Sequence, residues 1–311
     1  MKNITLANNN SAQKINALRS ILSTDDDSFT IVVVGSLARG EASDESDIDY
    51  YFFGDDDAGV EKAKGFLISK QAEIATIVGK APSVDGAFGP TACETLPKLI
   101  TDIGGDNDSN SKITRRILFL LEGTWLTSKK TFDRYREEVL TRYVSSLIED
   151  DHLCRFLLND VIRYYRTICV DFEFKTFEKN KEWGLRYIKL RFSRQFLYFS
   201  GIIAIAETVG MSPSEKIEKL IELLNLSPIE RIELVCGDFA SDAITLYDSF
   251  LGEISQGEVR TAFNAVTHNK TTHTQNFKKM QTAGRNFTIS LVKIIREKYS
   301  PNHPIHNALI F

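Results

Sequence analysis

Two aspartates, Asp47 and Asp49, stand two positions apart at the entrance to an aromatic run that ends at Phe53. Aromatic and β-branched runs are typical of β-strands. Side chains of a strand alternate between its two faces, so the two carboxylates should point to the same side, about 6–7 Å apart. Carboxylates this close repel each other unless a cation lies between them. The pair therefore predicts a site for a hard divalent cation with oxygen ligands, Mg²⁺ or Mn²⁺.

A second chemical feature precedes this pair. The β-branched run Ile31–Val34 predicts a strand, and Gly35 and Ser36 follow it directly. Glycine lets the backbone turn sharply and approach a ligand closely. A helical turn that begins at Ser36 would offer free N–H groups to phosphate oxygens. A phosphate cradle beside two carboxylates indicates a site for a metal-bound nucleotide. The alternative is that the aspartates form a solvated surface turn after the strand.

The order Gly35-Ser36, a short linker and then Asp47-Ile48-Asp49 resembles the signature of the DNA polymerase beta-like nucleotidyltransferase superfamily. Members of this superfamily transfer a nucleoside monophosphate from a nucleoside triphosphate (NTP) to a hydroxyl group and release pyrophosphate. The resemblance implies that Gly35 and Ser36 hold the triphosphate and that Asp47 and Asp49 bind the metal ions. It implies two-metal phosphoryl transfer, in which one ion lowers the pKa of the acceptor hydroxyl and the other neutralises the pyrophosphate.

The superfamily also uses a third carboxylate on a later strand, which positions the acceptor hydroxyl and the second metal. Asp85, in the extended stretch 80–89, is the candidate for this third ligand and for the base toward the hydroxyl. An Asp-Gly turn explains the same residues equally well. Rivals stand in a loop rich in glycine, asparagine and aspartate: Asp102, Asp106 and Asp108. Arg39 is a candidate for a further phosphate contact, with an exposed ion pair to Glu41 as the alternative.

Two domains are expected from the pattern of elements. Residues 1–148 predict an α+β domain with a small mixed β-sheet flanked by helices. From the acidic run Glu149–Asp151 onward, helical periodicity predicts an all-α bundle, 149–311. The expected helices of the bundle are Cys154–Phe172, Glu182–Thr208, Pro213–Leu224, Pro228–Leu251 and Gln275–Tyr299. We expect the first domain to be catalytic and the second to close over the substrate and nucleotide.

Cationic residues are frequent in the apolar helices of the bundle. Arg186 and Lys189 share a helical face, and Tyr187 lies between them in sequence. Half-buried cations need anions, which internal partners such as Asp160 and Asp171 would provide. The functional alternative is that Arg186 and Lys189 contact the triphosphate or the leaving pyrophosphate, and that Tyr187 stacks on the base. The sequence favours neither interpretation.

Polar segments near the C-terminus hold histidines and lysines. A metal site would place its histidines on one helix face or beside carboxylates, and His268 and His273 fit a solvated loop better. A modest basic stripe is formed by Lys270, Lys278 and Lys279. The stripe could touch a nucleic-acid acceptor through phosphate contacts.

Composition argues against several classes of protein. The net charge of −4 disfavours general binding of duplex nucleic acid. The four cysteines show no C-x-x-C spacing and indicate neither a zinc site nor a disulfide framework. The N-terminus lacks the apolar segment of a secretory signal, and the longest apolar run, 196–206, is too short to span a bilayer. We expect a cytoplasmic protein whose apolar tail, Ile305–Phe311, docks on the bundle or on a second copy in a homodimer.

Three functions fit these observations. The first is an active nucleotidyltransferase that uses ATP or another NTP with Mg²⁺ and whose acceptor is a protein, an RNA end or a small molecule. The second is a nucleotide-binding regulatory protein with reduced catalysis, which the uncertain third carboxylate motivates. The third is a helical interaction partner in a toxin–antitoxin or defence pair. Base selection depends on the shape of a pocket, so the sequence selects no particular NTP.

Overall fold

The computed structural model of the protein describes residues 1–44, 46–78, 88–89 and 91–310. The chain divides into two compact units. The sheet unit consists of Leu6–Ile148 and Ser212–Ser227, and the helical unit consists of Met1–Thr5, Glu149–Met211 and Pro228–Phe311. The chain therefore changes unit more than once, because residues 1–5 belong to the helical unit and residues 212–227 belong to the sheet unit.

The elements described before residue 149 form one small sheet with helices around it. In chain order they are α1 (Lys2–Ile21), β1 (Phe29–Val34), α2 (Gly35–Ala38), β2 (Asp49–Gly54), α3 (Asp57–Val78), β3 (Cys93–Thr95), α4 (Leu96–Ile100), α5 (Asn110–Leu121), β4 (Thr124–Trp125) and α6 (Lys129–Tyr143). The strand order is β3-β2-β1-β4. β1 runs antiparallel to β2 and β4, whereas β2 runs parallel to β3. The sheet is therefore mixed, and the predicted α+β class is confirmed.

Both faces of the sheet are covered, which explains the unbroken apolar run of β1. All six residues of Phe29–Val34 are buried, as is typical of a strand with a layer on each side. On one face, Ile31 and Tyr50 join a core that includes residues of α1 and α3. On the other face, Phe53 contacts Phe119 of α5 edge to face, with ring centroids 5.3 Å apart. This packing fixes β1 and β2 between two helical layers.

Helix α5 is fixed by a buried ion pair. Both terminal nitrogens of Arg116 donate to the Asp108 carboxylate at 3.0 Å, and neither side chain is exposed to solvent. Arg116 also donates to the Leu99 carbonyl at 3.0 Å. A charged pair in a low-dielectric interior depends on both of its members, because either one alone would remain a buried, uncompensated charge. The pair therefore ties the loop before α5 to the body of the helix.

The substitution Asp108→Asn tests this pair. We expect it to lower the free energy of unfolding by about 3–5 kcal/mol, because the buried Arg116 would lose its counter-charge. Urea unfolding of the full chain measures the loss. The control is Asp133→Asn, which removes a carboxylate from a surface pair with Lys129 and should have little effect. Equal losses in the two variants would contradict the assignment.

A segment from late in the chain completes the sheet unit. This segment contains a helix formed by Pro213–Leu224. The buried Arg136 of α6 donates to the Leu224 carbonyl at 3.1 Å and to the Asn225 side chain at 2.7 Å. The other terminal nitrogen of Arg136 donates to the carbonyls of Phe119 and Gly123 at 3.0 and 2.8 Å. One guanidinium thus joins α6 and the end of α5 to a segment 88 positions later in the sequence.

The elements after residue 149 are helical throughout the described residues. They are α7 (Arg155–Glu173), a π-helical turn (Phe174–Glu178), α8 (Gly184–Lys189), a second π-helical turn (Leu190–Arg194), α9 (Gln195–Ala206), α10 (Pro213–Leu224), α11 (Pro228–Cys236), a 3₁₀ turn (Gly237–Ala240), α12 (Ser241–Ile254), α13 (Gly257–Asn264), a 3₁₀ turn (Lys270–Thr272), α14 (Gln275–Lys298) and α15 (Ile305–Ala308). The predicted helical character is confirmed.

One predicted helix is wrong in detail. Pro228–Leu251 was expected to be continuous, but Gly237 has a φ of +51°, which lies outside the range of a right-handed helix. The chain therefore passes from α11 to α12 through a 3₁₀ turn. In the helical unit, Phe192, Phe250 and Phe287 stack in the core, with centroids 4.5 and 5.1 Å apart. Within the part of the chain that is described, none of the helices has the length and apolar character needed to cross a membrane.

Candidate functional site

The chain turns at Gly35 as it leaves β1. Gly35 has a φ of +76°, a conformation that L side chains rarely adopt. A Cβ atom added at Gly35 would also lie 2.7 Å from Oδ2 of Asp49. Glycine is therefore required for two reasons, and the second shows that the Asp49 carboxylate lies directly against the backbone of the turn.

The register of the sheet accounts for this contact. Val34, the last residue of β1, pairs with Asp49, the first residue of β2. Burial alternates just before and into the strand: Ser46, Ile48 and Tyr50 are buried, Asp47 is exposed and Asp49 is half-buried. The carboxylates thus occupy positions that alternate with the core, but strand β2 begins only at Asp49, and Asp47 precedes it rather than lying in the strand as expected. Burial raises the pKa of Tyr50 to about 12, so its hydroxyl stays protonated at neutral pH.

Two backbone hydrogen bonds close the turn. The Arg39 N–H donates to the Gly35 carbonyl at 3.1 Å, and the Glu41 N–H donates to the Ser36 carbonyl at 2.8 Å. The Ser36 side chain is half-buried. In a helical turn, the first N–H groups have no acceptor within the helix, so amides at the start of α2 and the Ser36 hydroxyl are the donors that a bound anion could use.

A buried glutamate, Glu122, accepts hydrogen bonds from two residues of the turn. Oε1 of Glu122 accepts the Gly35 N–H at 2.7 Å, and Oε2 accepts a terminal nitrogen of Arg39 at 2.6 Å. The other terminal nitrogen of Arg39 lies 3.0 Å from Oε2 of Glu41. All three side chains are buried. Glu122 therefore binds residues at both ends of the short helix α2. We call Arg39, Glu41 and Glu122 the carboxylate clamp.

The clamp revises the expectation for Arg39. The ion pair with Glu41 exists, but it is buried rather than exposed, and Glu122 is a second partner. Sequence reasoning missed Glu122. The available signal was a lone acid within an otherwise apolar stretch, 117–126, between helix α5 and strand β4. An acid in such a place needs a buried partner, although the sequence does not identify that partner.

The other candidate acids lie elsewhere. Asp85 is outside the described residues. Asp102 and Asp106 are exposed, and Asp102 accepts the Asn107 N–H within its own loop at 3.2 Å. Asp108 is bound to Arg116 in the interior. Of the candidate acids that the structure describes, Asp49 lies against the turn, and Asp47 is exposed two residues before it. Carboxylate oxygens are the ligands that Mg²⁺ or Mn²⁺ prefers.

Three further candidates belong to helix α8 of the helical unit. Arg186 is exposed, whereas Tyr187 and Lys189 are half-buried. The Tyr187 ring stacks on Trp183, with centroids 4.8 Å apart. Of the internal anions considered as partners, Asp160 pairs with Arg163 at 3.5 Å and Asp171 pairs with Lys175 at 2.8 Å.

Comparison with known families agrees with the geometry of the turn. Residues 15–82 match the family model described as nucleotidyltransferase domain. The matched segment contains β1, the turn at Gly35, β2 and helix α3. The resemblance drawn from Gly35-Ser36 and Asp47-Ile48-Asp49 is thereby confirmed for this part of the chain. A comparison with curated proteins found no match.

The carboxylate clamp makes a prediction about local stability. Glu122→Ala should speed hydrogen exchange at the Gly35 amide by about 10-fold or more, because a hydrogen bond to a charged acceptor is worth about 1.5–3 kcal/mol. Amide exchange in the intact protein measures the effect. Glu122→Gln keeps a carbonyl acceptor and should retain most of the protection. Glu137→Ala, at an exposed position of α6, is the surface control. Unchanged exchange in Glu122→Ala would show that the clamp does not hold the turn.

Proposed function

We propose that this chain, with its nucleotidyltransferase domain at residues 15–82, is a metal-dependent nucleotidyltransferase. It transfers a nucleoside monophosphate from an NTP to a hydroxyl acceptor and releases pyrophosphate. One observation supports this proposal above all: the Asp49 carboxylate lies against Gly35, at the start of the turn that would receive phosphate. A metal ligand and a phosphate cradle in contact are what phosphoryl transfer requires.

The donor set suits a divalent metal. Asp47 and Asp49 would hold Mg²⁺ or Mn²⁺ through carboxylate oxygens. When bound, such ions lower the pKa of an acceptor hydroxyl and neutralise charge on the phosphates. Gly35 presents no side chain toward Asp49, so the Asp49 carboxylate lies directly against the backbone of the turn. We expect the reaction to take place in the cytoplasm.

The residues of the turn would orient the triphosphate. The Ser36 hydroxyl and the neighbouring N–H groups donate hydrogen bonds to phosphate oxygens. The Gly35 N–H is committed to Glu122, so its role is to fix the position of the turn. Arg39 is held by Glu41 and Glu122, and we assign it the same supporting role in place of direct phosphate contact. Rigid support of this kind keeps donors aligned without cost at the moment of reaction.

The remaining assignments rest on the sequence. Asp85 is the proposed third metal ligand and the base toward the acceptor hydroxyl. Arg186, Tyr187 and Lys189 are the proposed contacts to the nucleotide from the helical unit. Each is testable by substitution with an uncharged or smaller side chain while the unfolding transition is monitored.

The carboxylate pair gives the decisive experiment. Asp47→Ala and Asp49→Ala should each lower nucleotidyl transfer by about 100-fold or more, because the metal contributes several kcal/mol to the transition state. The purified protein is incubated with each α-³²P-labelled NTP, Mg²⁺ and cell extract as the source of acceptor. Asp44→Ala removes a neighbouring exposed carboxylate and should leave transfer intact.

Each outcome of that experiment separates the candidate functions. Transfer that survives both substitutions would disprove the proposed site. Magnesium-dependent NTP binding without pyrophosphate release would favour a regulatory nucleotide-binding protein. A stable co-purifying partner and no NTP binding would favour an interaction protein.

The serine of the turn makes a separate prediction. Ser36→Ala should lower kcat/KM for the NTP by about 10- to 100-fold, because a hydrogen bond to a charged phosphate is worth about 1.5–3 kcal/mol. Steady-state kinetics of pyrophosphate release provides the measurement. Ser69→Ala is the matched control, since the Ser69 hydroxyl is exposed and donates to its own helix at the Phe66 carbonyl. Equal kinetics in the two variants would remove Ser36 from the site.

A further inference from the structure

A group of aromatic and imidazole rings lies at the surface of the helical unit. Its members are Phe177, Trp183, Tyr187, His268 and His273, which we call the ring cluster. Trp183 is central: its ring centroid lies 4.8 Å from Tyr187, 4.8 Å from His268 and 5.6 Å from His273. Phe177 stacks on His268 at 4.1 Å. Rings from three separate stretches of sequence thus meet around one tryptophan.

The ring cluster differs from the core of the same unit in its exposure. Phe177 is 59% exposed, His268 is exposed, and Trp183, Tyr187 and His273 are half-buried. The core rings, in contrast, are buried. Leaving a large apolar ring such as Phe177 in water forgoes the free energy of its burial, so the cluster offers aromatic surface that folding itself does not use.

A closed loop holds the two histidines in place. The Thr267 N–H donates to the Thr272 hydroxyl at 3.0 Å, and the Asn269 side chain accepts the Thr271 N–H at 3.0 Å. His273 Nε2 lies 3.1 Å from the Thr267 carbonyl. The loop therefore positions both imidazoles against Trp183 before any ligand arrives, which reduces the entropy lost on binding.

The chain around these histidines is strongly basic. Residues 259–296 contain no Asp or Glu, although the protein as a whole is acidic. The same stretch contains seven cations: Arg260, Lys270, Lys278, Lys279, Arg285, Lys293 and Arg296. Among the described residues, no carboxylate lies within ion-pair distance of Lys270, Lys278 or Lys279, and all three are exposed.

Cations also flank the other side of the ring cluster. Glu178 and Glu182 stand beside Phe177 and Trp183 in sequence, and they are outnumbered by Lys179, Lys181 and Arg186. These three cations are exposed. In sequence, therefore, cations outnumber acids in both stretches that carry the exposed rings, although the net charge of the chain is −4.

We infer that the ring cluster and its cations bind a single strand of nucleic acid. Unpaired bases stack on exposed aromatic and imidazole rings, and lysines pair with the phosphates between the bases. A duplex hides the faces of its bases and would gain only the phosphate contacts. Combined with the proposed function, on which this step rests, the inference identifies the acceptor as the terminal hydroxyl of an unpaired strand.

Fluorescence anisotropy with the full chain tests the binding directly. The probes are a labelled RNA strand of about 15 nucleotides, the DNA strand of the same sequence, and the corresponding DNA duplex. No NTP or Mg²⁺ is added, so the measurement is independent of catalysis. We expect either unpaired strand to bind at least about 5-fold more tightly than the duplex, as one stacked base contributes about 1–3 kcal/mol. Equal affinity for strand and duplex would overturn the inference.

Two sets of variants locate the surface. Phe177→Ala should weaken strand binding by about 5- to 100-fold, the range expected for one stacked base. Phe239→Ala is the matched control, because Phe239 is 50% exposed elsewhere in the same unit. Unchanged affinity in Phe177→Ala would overturn the stacking role. Since Phe177 is largely solvent-exposed, its replacement should not disturb folding.

Charge is tested by replacing Lys270, Lys278 and Lys279 together with Gln. The slope of log affinity against log salt should become shallower by about 2, at about 0.7 for each phosphate contact of a single strand. The control replaces three lysines of the sheet unit that are at least half exposed, Lys62, Lys129 and Lys130, and changes the net charge equally. Equal slopes for the two triple variants would assign the effect to overall charge and overturn the site.

The two proposals fail in different ways. Asp47→Ala should bind the strand as the wild type does while losing transfer. If the strand binds but is not extended in the presence of NTP and Mg²⁺, the acceptor assignment is wrong and the binding site stands. If the strand does not bind, yet nucleotide is transferred to another acceptor, the ring cluster is wrong and the proposed function stands.

Discussion

The turn at Gly35 depends on a carboxylate contributed from far along the chain. Glycine adopts a positive φ at little cost, and the hydrogen bond from the Gly35 N–H to the buried Glu122 favours this conformation over the others open to glycine. Arg39 brings a compensating positive charge to Glu122, which makes the burial of that carboxylate tolerable. The register of the sheet, in which Val34 pairs with Asp49, then places the Asp49 carboxylate against this turn. If the turn relaxed, the distance from the carboxylate to the proposed phosphate site would no longer be fixed.

Local sequence patterns predicted the part of the site that is local. The run Ile31–Val34, the pair Gly35-Ser36 and the spacing of Asp47 and Asp49 lie within one hairpin, where strand alternation and turn chemistry act over a few residues. The carboxylate clamp was not predictable in this way, because Glu122 and Gly35 are 87 positions apart. Tertiary contacts of this kind leave no periodic signal. The buried state of Arg39 was missed for the same reason.

In the helical unit, too, local sequence patterns predicted helices but not the contacts between distant residues. The helical class followed from periodicity, but Gly237 interrupts a predicted helix because glycine accepts a φ that the pattern of apolar residues does not record. The sequence predicts a solvated loop for His268 and His273, and the structure leaves His268 exposed and His273 half-buried. Their convergence on Trp183 depends on hydrogen bonds within the loop, such as that from Thr267 to Thr272. The structure shows in addition that both histidines contact the ring of Trp183.

The hydrogen bonds of Arg136 have a consequence for the order in which the protein is made. The ribosome adds Gly35, Asp49 and Glu122 to the growing chain well before Leu224 and Asn225. Until then, two of the four acceptors of the Arg136 guanidinium do not exist, and water must serve in their place. A nascent chain that ends before Leu224 would contain Gly35, Asp49 and Glu122. It would lack two acceptors of Arg136, the residue that also donates to the carbonyl of Gly123, the neighbour of Glu122. The full set of hydrogen bonds around Arg136 therefore forms only after the segment that ends at Asn225 has been synthesised.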